Sequence, residues 1–337
     1  MRRRITILAA AGLLLALTAA GPGVASARDD PLAPRVVATF PGGHDYGSFA
    51  ESLAVGPGGS LYASVTVWTD TDWNVGQLWR IDPGGRMRQL GPDLDVGILT
   101  GLALARDGSL YAGLVTFDIA GVPSGVLRFD ASGNATRAVT LPAGTFPNGL
   151  AVHDGYLNIS DSYNGAVWRA ELGVDGSQRL THPWLKDATL AVASADGWEG
   201  VNGIAFWGDT LYAVNADTGN VVRIPPGRNG RPGTPEVAGG DPALVGADGI
   251  AFDARGGLWI AVNHGDQLIG GALARMDPSG SIQVVASDPG WLDYPSQPAF
   301  DTRTGQTTSL YVLNGSLNTG NPNLIALRVG VPGLPLP

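Results

Sequence analysis

One pattern constrains what this chain can fold into: a polar residue beside a small residue or proline, set just before an apolar run and met six times. Its members are Glu51, Thr100, Asn148, Asn202, Asp248 and Gln297, at spacings of 49, 48, 54, 46 and 49 residues. A fixed period of that size marks units that stack because none can bury its apolar face alone. Each apolar run leads through a glycine-rich or polar turn into a second run: SLYAS, SLYAG, YLNIS, TLYAV, GLWIA and SLYVL. A third run carries an arginine in QLWRID, GVLRFD, AVWRAE, NVVRIP and ALARMD, and more loosely in LIALRV. A fourth, such as MRQLG, TRAVTL, PEVAGG or IQVVAS, completes most units.

Short β-branched and aromatic runs between turn residues read as antiparallel strands. Six units of four strands predict an all-β chain, a six-bladed β-propeller. The ends agree with this. RVVATF at 35–40 reads as a fourth strand without its own first three, and the last unit stops after its third. The terminal strands should therefore close the last blade and hide a sheet edge. Fifty glycines and 24 prolines would suggest disorder in an irregular chain, but here they fall between the runs. Arg80, Arg128, Arg169, Arg223 and Arg275 recur from blade to blade and are expected to serve architecture.

Residues 1–27 read as an export signal: Arg2, Arg3 and Arg4, an apolar stretch from Ile5 to Ala20, then ASA ending at Ala27. The expected product is a secreted chain with one propeller domain over 28–337. No other segment is long and apolar enough to span a bilayer, so no membrane partner is expected after the signal is removed. The formal charge is −9 and falls to −12 without the three leader arginines. Such a surface repels phosphate backbones, which argues against nucleic acid as a partner. Cysteine is absent, which excludes thiol nucleophiles and thiolate metal sites and leaves the apolar core to hold the fold. A monomer is expected.

In a propeller the first strand of each blade lines the central channel, so the six polar residues should converge near the axis on one face. Unpartnered burial costs about 1–3 kcal/mol per polar group, and water or a cation could supply the partners. Glu51 and Asp248 bring two carboxylates, and Asn148 and Asn202 bring amide oxygens. That is a hard-oxygen set suited to Ca²⁺, with Mg²⁺ or Mn²⁺ as alternatives and Zn²⁺ less natural without histidine. The competing reading is that each is an Asx-type cap bonding its own backbone.

Two stretches resemble a known family. ADGIAFDARGGLWIAVN at 247–263 is similar to the fifth blade, and FPNGLAVHDGYLNISDSYNGAVWR at 146–169 to the third, of the gluconolactonase, senescence marker protein and luciferin-regenerating-enzyme family, with paraoxonases more distant. The resemblance implies a divalent cation held by Glu51, Asn148, Asn202 and Asp248, with Asp248 as acid/base. It also implies a small-molecule substrate contacted by the residue at Thr100, where the sugar-lactone enzymes use a longer polar group. The glutamate lies in FAESLAV instead of the family's GEGP.

The expected function is hydrolysis of a lactone or related ester: a cation polarises the carbonyl while Asp248 assists attack by water. His264, just past GLWIAVN, reads either as a substrate-side proton carrier near Asp248 or as an exposed loop residue. His44 could also reach the mouth. Asp161 reads as a structural cap, and no GxSxG elbow supports a serine hydrolase. Trp68, Trp73 and Phe117 lie in long loops that could wall a pocket for an apolar acyl or aromatic lactone, and the segment 182–200 could act as a lid. The alternatives are a non-catalytic propeller that binds a ligand or protein around a structural metal, and a lyase at the same site.

Overall fold

The strand pairings build six antiparallel sheets around one axis, in a computed structural model that describes residues 32–41, 47–68, 74–94, 97–174, 176–263, 271–303 and 308–334. The expected leader at 1–27, His44, Trp73 and His264 lie outside these residues. Five short 3-10 turns are the only helical elements described, and no described helix is long and apolar enough to cross a membrane. The six-bladed all-β expectation holds.

The innermost strands of blades one to six are Ser48–Val55, Ile98–Leu104, Pro147–His153, Val201–Trp207, Ala247–Phe252 and Pro295–Phe300. Blade six is closed as expected: Arg35–Thr39 pairs antiparallel with Asn323–Arg328, so an early strand completes the last sheet. Blade three departs from the simple repeat. Its fourth strand is only Leu185–Lys186, and the chain before it, Gln178–Arg179, runs parallel to Ala135–Thr140 at the edge of blade two.

Each sheet is sandwiched between two neighbours, so its middle strands are apolar on both faces. Leu110–Val115 and Leu258–Val262 are buried at every position. The core is accordingly a ring of inter-blade clusters. Between blades four and five, Val214, Val221 and Leu244 pack with Ile250, Leu258 and Ile260. Full burial of such side chains is worth about 1.5–3 kcal/mol each.

The hairpins joining first to second strands lie on the face away from the polar residues. Asp154 and Gly155, both at positive φ, make one of these turns, as the primed hairpin types require. The repeated arginines cluster at this end. Arg80 donates to Ser60 Oγ, Arg128 to Ser109 Oγ, Arg169 to Asn158 Oδ1 and Arg275 to the buried Asp253. In blade six Ala326 stands where the others have arginine, opposite Tyr311. Arg303 arrives from the hairpin instead and pairs with Asp301 and the Tyr311 hydroxyl.

Candidate functional site

The repeated polar residues sit inside the first strands, at a β-bulge that recurs in all six blades. The ladder skips between Ala50 and Ser52, Leu99 and Leu102, Pro147 and Leu150, Val201 and Ile204, Ala247 and Ile250, and Pro295 and Gln297. A bulge sets two residues against one and re-aims a side chain. Glu51, Thr100, Asn148, Asn202 and Asp248 occupy the bulge position. In blade six that position belongs to Ser296, and Gln297 is the residue after it, paired with Leu313. The expectation for Gln297 was therefore one residue out, because strand pairing sets the register and composition alone does not.

The glycine that follows the bulge residue in blades two to five has a packing role. A Cβ on Gly101 would collide with the carbonyl of Asn148, on Gly149 with that of Asn202, on Gly203 with that of Asp248, and on Gly249 with that of Ser296. Each bulge thus lies against the backbone of the next blade's bulge. Hydroxyls lace the same seam. Ser64 Oγ donates to the Thr100 carbonyl at 2.9 Å, Ser160 Oγ to that of Asn202 at 2.6 Å, and Ser296 Oγ to that of Ala50 at 2.9 Å. Thr100 belongs to this seam: it is fully buried and its hydroxyl donates to the Pro147 carbonyl at 2.6 Å. The structure gives it a backbone partner where substrate contact was expected.

Four bulge side chains are then left for other work: Glu51, Asn148, Asn202 and Asp248. Asn148 is 3 % exposed, Asn202 4 % and Asp248 5 %. A fifth group joins them. Glu199 Oε2 accepts from Asn202 Nδ2 at 3.1 Å and from Asn148 Nδ2 at 3.4 Å. Asn148 Nδ2 also donates to Ser162 Oγ at 3.1 Å, and Ser162 in turn donates to the Val201 carbonyl. Asn263 Nδ2 donates to Asp248 Oδ2 at 3.3 Å. The amide nitrogens are thus the atoms engaged with protein acceptors, and the amide oxygens are the candidate cation ligands.

Three carboxyl groups share this poorly solvated site. Loss of hydration raises Glu51 to about 7. Loss of hydration, with the charge of Glu51 added, raises Glu199 to about 8. Asp248 is raised well above the usual range by burial first, then by Glu51 and Glu199, against hydrogen bonds from Asn263 and Asn202. Such groups take up protons or bind a cation. Among the described residues no three Asp, Glu, His or Cys side chains suffice for a metal ion by themselves. The carboxyl and asparagine oxygens gathered here make up a hard-oxygen donor set of the kind that Ca²⁺ or Mg²⁺ takes.

Sequence reasoning passed over Glu199, Asn263 and Ser162. The one signal for Glu199 was the long 54-residue spacing before Asn202: the added segment ends in Trp198-Glu199-Gly200, beside Asn148 and Asn202. Asp161 holds the loop ends together, accepting from Phe146 N, Asn164 Nδ2 and Trp168 Nε1. His153 lies on the opposite face, stacked on Phe206.

No protein-family model matches the chain. A 6-deoxy-6-sulfogluconolactonase from Pseudomonas putida is 32 % identical over 150 residues, which is 39 % of this chain and 47 % of that protein. The chain thus spans about half the length of the curated relative it matches. The luciferin-regenerating enzyme structure superposes with a TM-score of 0.57 at 15 % identity, covering 90 % of this chain and 98 % of that one. An auxiliary nutrient binding protein from Bacteroides ovatus also reaches 0.57, at 12 % identity, covering 84 % and 72 %. The resemblance to gluconolactonase and luciferin-regenerating-enzyme propellers is present in partial sequence identity and in the shared fold.

Proposed function

We propose that this chain is a secreted, metal-dependent lactonase that opens a lactone or related ester at the face of the channel where the polar bulge residues gather. The observation that supports it most is the convergence, from four equivalent bulges, of Glu51, Asn148, Asn202 and Asp248, with Glu199 bonded to both asparagines. A divalent cation held by Glu51, Asn148, Asn202 and Asp248, Ca²⁺ first and Mg²⁺ or Mn²⁺ as alternatives, would supply polarisation of the ester carbonyl. The sulfogluconolactonase relative supports a small cyclic ester as substrate. The leader sequence supports export.

In this reading the protein's own groups move the proton. Asn263 holds Asp248 Oδ2, which fixes the carboxylate against the channel, and Asp248 takes a proton from the attacking water. Water oxygen bonds the carbonyl carbon, the ring C–O bond breaks, and the departing alkoxide recovers the proton from Asp248 to give the hydroxy acid. Glu199 orients the two amides, and the bulges fix their backbone. A rival reading is a non-catalytic binding propeller, since the nutrient-binding neighbour is built on the same fold and a fold carries many functions.

The test is acid release by the protein, without its leader, from aliphatic, aromatic and sugar lactones, with Ca²⁺, after chelation and after metal restoration. Turnover that disappears and returns with the metal is the expected result. Asp248→Asn should lower kcat by at least about a hundredfold while the protein stays folded. Persistent turnover in metal-loaded Asp248→Asn would remove Asp248 as the base. A folded, metal-loaded protein that opens no lactone would favour the binding propeller.

A further inference from the structure

Next to the carboxylate and amide cluster stands a group of aromatic rings that the reaction above does not use. Phe146 precedes the Pro147-Asn148 bulge, Tyr163 follows Ser162, Trp198 precedes Glu199, and Phe117 follows the second strand of blade two. The rings touch edge to face or tilted. Phe146 lies with its centroid 5.0 Å from Tyr163, 5.6 Å from Trp198 and 6.1 Å from Phe117, and Tyr163 is 5.9 Å from Trp198. Phe146 is the buried base of the group. Phe117, Tyr163 and Trp198 are 46 %, 38 % and 61 % exposed.

Large rings left in water at this density mark a binding surface. Two further observations tie the surface to the site. Phe117 and Asp118 both hold positive φ, a conformation that non-glycine residues keep only when surroundings impose it. Asp118 Oδ2 accepts from Gly144 N at 2.8 Å, which ties the Phe117 loop to the segment leading into Phe146. Tyr163 is raised above the ordinary phenol range by burial and then by the charge of Glu199, so the rings and the carboxyl cluster lie within electrostatic reach. The repeated arginines that could have welcomed an anionic substituent sit at the other end of the blades, engaged with Ser60, Ser109, Asn158, Glu236 and Asp253.

We infer that Phe117, Phe146, Tyr163 and Trp198 form a subsite for an alkyl or aryl substituent of the substrate, so that the chain acts on apolar lactones in preference to polyhydroxylated sugar lactones. This rests on the lactonase reading for its chemistry and on the ring geometry for its specificity. An apolar substituent laid on the rings displaces water from apolar surface, whereas sugar hydroxyls would lose hydration there and find few partners.

The test compares kcat/KM for γ-lactones with hydrogen, butyl, octyl and phenyl substituents and for gluconolactone, in wild type, Trp198→Ala and Tyr163→Ala. Saturable quenching of tryptophan fluorescence by the octyl-substituted lactam, which is not hydrolysed, is measured alongside. The wild type should favour octyl and phenyl lactones over gluconolactone, and Trp198→Ala should cut that preference about tenfold, through KM more than kcat. Both variants alter partly exposed rings, and their circular dichroism should match wild type. A preference for gluconolactone, or equal rates across substituents with no lactam binding, would overturn the subsite. Lactam binding that is lost in Tyr163→Ala, which leaves every tryptophan reporter in place, in a protein that opens no lactone, would keep the subsite and sink the lactonase reading.

Discussion

Glu199 carries the sharpest test at the scale of single residues. Glu51 and Glu199 stand at about 7 and about 8 against an ordinary value of 4.5. A carboxyl that binds its proton more tightly in the folded state contributes stability below its unfolded pKa and loses it as pH rises through the folded one. The chelated protein should therefore melt at a lower temperature at pH 8.5 than at pH 5.5, most of the fall lying between about pH 4.5 and 8, and Ca²⁺ should flatten the slope. Glu199→Gln should raise the stability of the chelated protein at pH 8.5 by about 1 kcal/mol, since one repelling charge is gone. Thermal melts at the two pH values decide it, and a flat profile would mean that the three carboxyls do not share a poorly solvated site. That Glu51, Asn148, Asn202 and Asp248 stand at equivalent positions was legible in the sequence because a repeat makes its own exceptions visible. Glu199 and Asn263 were not. Glu199 arrives from an insertion and Asn263 from just past a second strand, neither in the repeated motif of the first strands, and only folding brings them beside the bulges.

The element that organises the site is the bulge with its glycine. In sequence the pair Asn-Gly reads as a turn or a strand start; in the fold it is a kink within the strand, and the glycine's lack of a side chain lets neighbouring backbones touch. Which residue occupies the bulge could not be read in blade six, where Ser296 and Gln297 are both polar and pairing alone decides. Gly203→Ala should cost about 2–3 kcal/mol, because its Cβ would meet the Asp248 carbonyl. Gly155→Ala, at φ +77° with open space around it, should cost about 1 kcal/mol for its backbone conformation alone. Denaturant unfolding of the two variants separates these cases, and equal losses would argue that the bulges do not bear on each other. The arginines show the complementary lesson: blade six lacks the residue on its third strand, yet Arg303 reaches Asp301 from the turn, so the interaction is retained and its position in sequence is not.

For the molecule as a whole, the closing strand is the decisive feature, and it was legible because the first and last repeats were incomplete in complementary ways. Removing residues 32–41 takes away Phe40, 2 % exposed, and leaves the edge of Asn323–Arg328 bare. Loss of one buried phenylalanine costs about 3–5 kcal/mol, so the melting temperature should fall by about 10 °C or more. The open edge should also promote self-association, and added peptide with the sequence RVVATF should reverse both. Unchanged melting and a monomeric elution volume in gel filtration would show that the ring does not depend on this strand. The pairing of Arg35 with Ala326 joins two points separated by nearly the whole length of the chain. During synthesis the early strand must therefore wait, unpaired, until almost every later residue has left the ribosome. Individual blades can assemble in order, but the ring shuts last.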